Sequence, residues 1–219
     1  MAAKRISDNV YAIPVTKSSY VYVIKGSKST LIDSGLHYPG SGNKILNGLK
    51  SINIKPGDVE QLFLTHHDLD HTGNAAILQK ATGCKIWVSE EDLPYVTGKR
   101  KRPGIKRFFE IVSHAGRPET VSAFDSDSIG EFRILKTPGH TPGHVCILYR
   151  DILFAGDLFL VKGHRLRFLS GAYTWDKEKL LESVKKLSQL SFSWICPGDS
   201  PPIRVCDVIR DPAIGIDWI

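Results

Sequence analysis

The sequence predicts an α/β fold, with one layered domain in which strand-forming and helix-forming segments alternate along the 219 residues. Three observations lead there. Short runs of β-branched, aromatic and aliphatic residues, bounded by Gly, Ser and Lys turns, recur in both halves of the chain. Segments with apolar residues at helical spacing stand between them. No stretch rich in Pro, Gly or Ser separates the halves, so residues 1–219 read as a single domain although the length would accommodate two.

The early strands fall at residues 10–15, 20–25 and 30–33. A helix over 43–52 follows, with Ile45, Leu46 and Leu49 on one stripe. The apolar run 62–65 is a strand; a helix then begins near His71 and runs to Thr82, stopped by Gly83. Residues 85–88 form another strand, and Ser89 with Asp92 has the spacing of a capping box. Beyond Glu119 the pattern gives strands at 121–124, 132–136, 144–149 and 152–154, with Arg150-Asp151 as a hairpin turn. Asp176 caps a helix running to Leu190, with Leu180, Leu181, Val184 and Leu187 on its buried face. A last strand over 192–196 leads into Pro197-Gly198-Asp199.

An apolar fraction of 42% and a charged fraction of 24% belong to a folded globular chain and exclude disordered or fibrous compositions. No apolar run approaches the roughly 18 residues of a membrane span. The N-terminus, Met1-Ala2-Ala3-Lys4-Arg5, lacks the apolar stretch of a secretory signal. A cytoplasmic protein with no membrane partner is therefore expected. Cys84, Cys146, Cys196 and Cys206 are far apart, with no CxxC pair, so structural thiols are expected rather than disulfides or thiolate ligands. The formal charge of +6 is concentrated in residues 99–107, where Lys99, Arg100, Lys101, Arg102, Lys106 and Arg107 crowd together. A solvated loop is the first reading of that run. A grip on an anionic substrate, a nucleic-acid backbone or a membrane surface is the second.

The chemistry is densest in Leu62-Phe63-Leu64-Thr65-His66-His67-Asp68-Leu69-Asp70-His71-Thr72-Gly73. His66, His67, Asp68, Asp70 and His71 can all ligate a metal, directly after an apolar strand. Burying such groups unpaired is costly, and a metal removes the cost. Alternate residues of an extended loop share a side, so His66, Asp68 and Asp70 can converge, with His71 reaching a neighbouring ion. A strand followed at once by a candidate ligand recurs in three places: 132–136 before Thr137-Pro138-Gly139-His140, 152–154 before Ala155-Gly156-Asp157, and 192–196 before Pro197-Gly198-Asp199.

The order of these segments resembles the metallo-β-lactamase-fold superfamily, in particular its glyoxalase II-like and lactonase-like members. The family pattern is HxHxDH, then a His after a strand, a bridging Asp and a final His; His66, Asp70, His71, His140 and Asp157 match it. Thr137-Pro138-Gly139-His140-Thr141-Pro142-Gly143-His144 and Phe154-Ala155-Gly156-Asp157 have the glyoxalase II-like and lactonase-like forms. Leu31-Ile32-Asp33-Ser34-Gly35 matches an early strand-end Asp that buttresses the site. The resemblance implies an αββα sandwich of two mixed β-sheets flanked by helices. It also implies a binuclear site holding two divalent metal ions, zinc being commonest in the family. Two departures stand out: Asp68 replaces the second His, and Asp199 the last. Read as ligand exchange, one ion takes His66, Asp68, His140 and Asp157, and the other takes Asp70, His71, Asp157 and Asp199. A register using His67, with Asp68 turned away, is the alternative. The added oxygen ligands favour iron or manganese beside zinc, and carboxylates that balance the charge of two divalent ions lower the pKa of bound water less strongly.

The activity implied by the resemblance is hydrolysis of a thioester, lactone or ester by a metal-bound water or hydroxide, with Asp70 as ligand and proton shuttle. A small-molecule substrate is expected and a nucleic acid is not; a homodimer is compatible with the sequence. His37, Tyr38, His67 and His164 are weaker candidates for the substrate pocket, and His144 for a supporting hydrogen bond. Three rival readings stay open. An acidic residue in place of the second His also occurs in the diiron domains of flavodiiron proteins, which would make the chain a non-heme iron redox enzyme needing a separate reductase. The basic run leaves a metal-dependent nuclease or phosphodiesterase open. A binding module without turnover is the third.

Overall fold

Parallel strand pairs decide where candidate ligands lie, because each pair brings two strand ends to one sheet edge. The computed structural model describes residues 2–168 and 173–209, and the chain divides into two compact units, Met1–Phe124 and Asp125–Ile219.

In the first unit β1 (Lys4–Arg5), β2 (Val10–Thr16), β3 (Ser19–Ile24), β4 (Ser29–Ile32), β5 (Val59–Phe63), β6 (Lys85–Val88) and β7 (Ser122–Ala123) form one mixed sheet in chain order. β1 to β4 are antiparallel neighbours, whereas β4 to β7 run parallel. Parallel steps need crossovers. Helix α1 (Ser41–Ser51) supplies the one between β4 and β5; α2 (Leu69–Thr72) and α3 (Ala75–Thr82) supply the next. Helices α4 (Leu93–Val96) and α5 (Ile105–Ser113) precede β7. β3 is buried along its whole length, which its Tyr-Val-Tyr-Val-Ile run permits. Val21, Val23, Leu31 and Leu62 pack with Ile45 and Leu49 of α1 and Leu78 of α3, each fully buried aliphatic side chain contributing roughly 1.5–3 kcal/mol.

Three expectations for this unit need correction. β5 closes at Phe63, short of Thr65, because the Thr65 N–H turns to the Asp33 carboxylate. The Ser89–Asp92 box is half formed: Ser89 Oγ accepts from Asp92 N at 3.3 Å, while the Asp92 carboxylate bonds to His67 instead. The helix expected from His71 to Thr82 is in two pieces, with Asn74 between them. The Asn74 amide donates to the carbonyls of Ser34, Gly35 and Leu36. Gly73 permits that close approach, since a Cβ there would lie 2.5 Å from the His37 backbone N and 2.9 Å from the Gly35 carbonyl oxygen. Gly73→Ala is therefore expected to lower stability by roughly 1–3 kcal/mol through overpacking. Urea unfolding checks this, and an unchanged midpoint would show that the 34–37 segment yields freely. α3 ends as expected, on Gly83 in the left-handed conformation (φ 72°).

The second unit holds β8 (Ser128–Ile129), β9 (Phe132–Lys136), β10 (Val145–Tyr149), β11 (Ile152–Gly156), β14 (Trp194–Pro197) and β15 (Ile203–Arg204), in the sheet order β15-β14-β11-β10-β9-β8. β12 (Leu160–Lys162) and β13 (Arg165–Arg167) make a separate hairpin. β11 and β14 are parallel, with Gly156 opposite Pro197; the other pairs are antiparallel. Helix α6 (Lys177–Leu187) is capped by Asp176, whose Oδ1 accepts from Lys179 N at 3.1 Å. Leu180, Val184 and Leu187 are buried, but Leu181 is 41% exposed. It stands about 100° round the helix from Leu180, off the stripe. The helix also stops at Leu187 rather than Leu190.

Cys84, Cys146 and Cys196 are buried free thiols and Cys206 is exposed. Burial pushes the Cys146 thiol up to about 12 and also raises those of Cys84 and Cys196. These three stay protonated and serve as small apolar groups. Among the described residues no helix is long and apolar enough to cross a membrane.

Candidate metal centre

Ile32 of β4 lies opposite Phe63 of β5, so the residues that follow these parallel strands emerge together. Asp33 has positive φ (59°), which Asp tolerates better than most residues. Its Oδ1 accepts from Thr65 N at 2.8 Å, and its Oδ2 lies 2.8 Å from His71 Nδ1. Thr65 Oγ1 donates to Asp33 Oδ2 at 2.9 Å and lies 3.0 Å from His66 Nδ1. A hydroxyl whose proton goes to the carboxylate can only accept from His66. Both imidazoles thus carry a proton on Nδ1, and in the neutral ring Nε2 is then the acceptor nitrogen, the one a metal would use. The two rings lie with centroids 4.0 Å apart.

Asp68 precedes α2 in extended conformation and does not cap it. Its Oδ2 is 3.6 Å from His66 Nε2 and 2.6 Å from Lys106 Nζ, and its Oδ1 is 3.5 Å from His67 Nε2. Asp68 therefore faces His66. His67 is buried in a separate cage: its backbone N and ring Nδ1 are each 3.0 Å from Asp92 Oδ2, and its ring stacks on Tyr95 at 4.3 Å. Asp70 is half-buried in the first turn of α2, where its carbonyl accepts from Ser19 Oγ at 3.0 Å. Taken in pairs, the ligand atoms of His66 and Asp68, of His66 and His71, and of Asp70 and His71 lie within 4.8 Å. His37 and Tyr38 are tied to the same unit's frame, His37 Nδ1 lying 3.4 Å from Asn74 Oδ1 and Tyr38 Oη donating to the Val15 carbonyl at 2.9 Å.

In the second unit the loop between β9 and β10 carries His140. The start of α6 holds it, with Trp175 N and Asp176 N donating to the carbonyls of His140 and Gly139. Gly139 (φ 146°) has no room for a side chain, since a Cβ would lie 2.4 Å from Leu180 Cα. The parallel β11–β14 pair brings Asp157 and Asp199 to one edge, where their ligand atoms lie within 4.8 Å. Asp157 Oδ2 is 3.6 Å from His140 Nε2. His144 supports this group: its Nδ1 is 2.9 Å from Thr137 Oγ1 and its Nε2 accepts from Asp157 N at 3.2 Å. His164 is exposed at the β12–β13 turn, with Nδ1 3.3 Å from the Asp207 carbonyl.

A sequence profile described as the metallo-beta-lactamase superfamily matches residues 13–199. The chain belongs to the metallo-β-lactamase superfamily. Solved structures share its fold. The metallo-β-lactamase SMB-1, bound to 2-mercaptoethanesulfonate, is 18% identical, with 90% of this chain and 80% of that chain covered and a TM-score of 0.73. TTHA1623, in a di-iron-bound form, is 24% identical over 87% of this chain and 91% of its own, at a TM-score of 0.69. A B3 metallo-β-lactamase described as the first with an active-site glutamic acid is 19% identical over 93% and 83%, at a TM-score of 0.69. The two large mixed sheets with their helices are thus the metallo-β-lactamase fold.

Imidazole and carboxylate donors suit the divalent ions of this superfamily, and a buried acceptor on the far nitrogen, as His66 and His71 have, is what such ligands require. Superfamily membership and the His/Asp clusters support a metal-dependent hydrolase as the general class. Sequence reasoning missed several supporting residues. Thr65 and Asp92 had no local signal for the roles they take. The basic run is not wholly the solvated loop expected. Lys99, Arg100, Lys101 and Arg107 are exposed, but Arg102 is buried. Its Nε and Nη2 donate to the His67 carbonyl at 2.8 and 2.6 Å, and its Nη1 is 3.1 Å from Glu110 Oε1. Burial pushes the Arg102 guanidinium down, against the opposing charges of Glu110 and Asp68.

Proposed function

We propose that the chain is a binuclear metal-dependent hydrolase of the cytoplasm acting on a thioester, lactone or ester, a small molecule rather than a nucleic acid. The observation that carries this reading is the pair of imidazoles, His66 and His71, each tied through Nδ1 to the Asp33–Thr65 pair. One ion would be held by His66, Asp68, His140 and Asp157, the other by Asp70, His71, Asp157 and Asp199. Ions held there would supply an activated water near neutral pH and a Lewis acid for the carbonyl oxygen.

The chain's own residues do the remaining work. Asp33 and Thr65 fix the tautomers of His71 and His66, and His144 fixes the backbone of Asp157. Asp70 accepts the proton on its carboxylate and returns it to the leaving group. The carbonyl class of substrate is the reading that segments 137–144 and 154–157 support, through their resemblance to glyoxalase II-like and lactonase-like members. Asp68 and Asp199 in place of histidines add iron and manganese to zinc as candidate ions. TTHA1623, a relative in fold, is known in a di-iron-bound form. The acidic residue at position 68 also favours a second reading, a non-heme iron redox enzyme served by a separate reductase; consumption of oxygen or NO would mark it.

Protein purified without added metal is expected to contain zinc, iron or manganese. It is also expected to hydrolyse at least one member of an ester, thioester, lactone and phosphodiester panel, with loss of turnover on chelation. Full metal content with no turnover would sink the hydrolase reading, and turnover indifferent to chelator would sink the metal.

A further inference from the structure

The basic run and the metal-ligand run meet at one oxygen. Asp68 Oδ2, 3.6 Å from His66 Nε2, is also the oxygen that Lys106 Nζ holds at 2.6 Å. The pair is largely withdrawn from water, with side-chain exposures of 11% for Asp68 and 15% for Lys106. Nor is Lys106 a floating surface cation. It rides on α5, whose approach is fixed by Arg102: that buried guanidinium grips the His67 carbonyl, touches Thr72 Oγ1 at 3.2 Å and pairs with Glu110. Gly104, with φ 57°, makes the turn from this anchor into the helix. A carboxylate where the family pattern has a neutral imidazole thus comes with its own counter-ion.

We infer that Lys106 is a built-in cation that competes with the metal for Asp68, and so makes the ion shared by His66 and Asp68 the weaker of the two. This rests on the binuclear reading above. The ammonium and a divalent ion draw on the same oxygen and repel each other, so loading that position requires Lys106 to move off Oδ2. Losing the ammonium removes the counter-ion at Asp68 Oδ2 in the metal-free protein and makes that oxygen a more available ligand in the loaded one. Metal binding should therefore tighten when Lys106 is neutralised. The residue sets occupancy and ion preference without itself being a ligand.

The test uses the full chain stripped by chelator and titrated calorimetrically with Zn²⁺, as wild type, Lys106→Met and Lys106→Arg. The expected result is two binding steps in the wild type. In Lys106→Met the weaker step tightens by about ten-fold, the scale of losing one partly buried ion pair, and the tighter step changes little. Lys106→Arg, which keeps the cation, should resemble the wild type. A thermal melt gives a second readout: the rise in Tm on loading with zinc should be larger for Lys106→Met than for the wild type. Equal affinities in both steps and equal Tm gains for wild type and Lys106→Met would overturn the inference while leaving the metal centre standing. Failure of every form to take up zinc would overturn the metal centre itself, and the competition with it.

Discussion

Asp70→Asn is expected to lower kcat/KM on any substrate the panel identifies by about 10²–10⁴-fold, the range for removing a positioned acid–base group. The substitution keeps the shape of the side chain. The backbone at residue 70 is held from outside by Ser19 Oγ, and the side chain is only half-buried, so stability should stay within about 1 kcal/mol of wild type. An amide offers one neutral oxygen where the carboxylate offers charge and proton affinity. Loss of metal alongside activity would assign Asp70 chiefly to ligation. Full metal content with a flattened pH–rate profile would assign it chiefly to proton transfer. Undiminished kcat/KM would remove Asp70 from the mechanism.

What the sequence made legible was whatever depends on near neighbours. The strand runs, the Gly83 stop of α3, the Asp176 cap and the Arg150 turn are local matters of dihedral preference and hydrogen bonding, and the structure has them all. The ligand run could be picked out because metal-ligating side chains crowd directly after an apolar strand, and Asp33 because Leu31-Ile32-Asp33-Ser34-Gly35 resembles the family's early strand-end motif. The misses share a different cause. Asn74 interrupts a helix because its amide serves three carbonyls from residues 34–36, a partner set forty residues away. Asp92 has the sequence spacing of a cap yet spends its carboxylate on His67. The charge of the 99–107 run could be counted, but its division could not be foreseen. Lys99 and Arg107 are exposed whereas Arg102 and Lys106 turn inward, and only the tertiary fold determines which side chains do so.

Asp33→Asn should separate the fold from the metal. The wild-type carboxylate accepts on both oxygens, from Thr65 N through Oδ1 and from His71 Nδ1 and the Thr65 hydroxyl through Oδ2. Asparagine keeps one acceptor for Thr65 N, and it tolerates the positive φ of residue 33 at least as well as aspartate. Its amide NH₂, however, now faces a ring nitrogen that must donate. The conflict is relieved if His71 moves its proton to Nε2 and accepts through Nδ1, and a ring in that tautomer has no lone pair for an ion. Metal affinity should therefore fall by about 10–100-fold, the cost of disturbing a ligand's outer partner, while circular dichroism and melting remain close to wild type. Asp33→Ala should behave differently. It leaves the buried N–H groups of Thr65 and His71 without this acceptor, at about 1–3 kcal/mol each, and puts a Cβ-bearing residue with no polar atoms at φ 59°. Against a typical total stability of about 5–15 kcal/mol, that variant should lose a large part of its stability and melt well below wild type, besides any loss of metal. Titration of the metal-free Asn variant decides the matter: affinity equal to wild type would mean that His71 does not depend on Asp33 for its tautomer, and the relay from strand end to ligand would have to be abandoned.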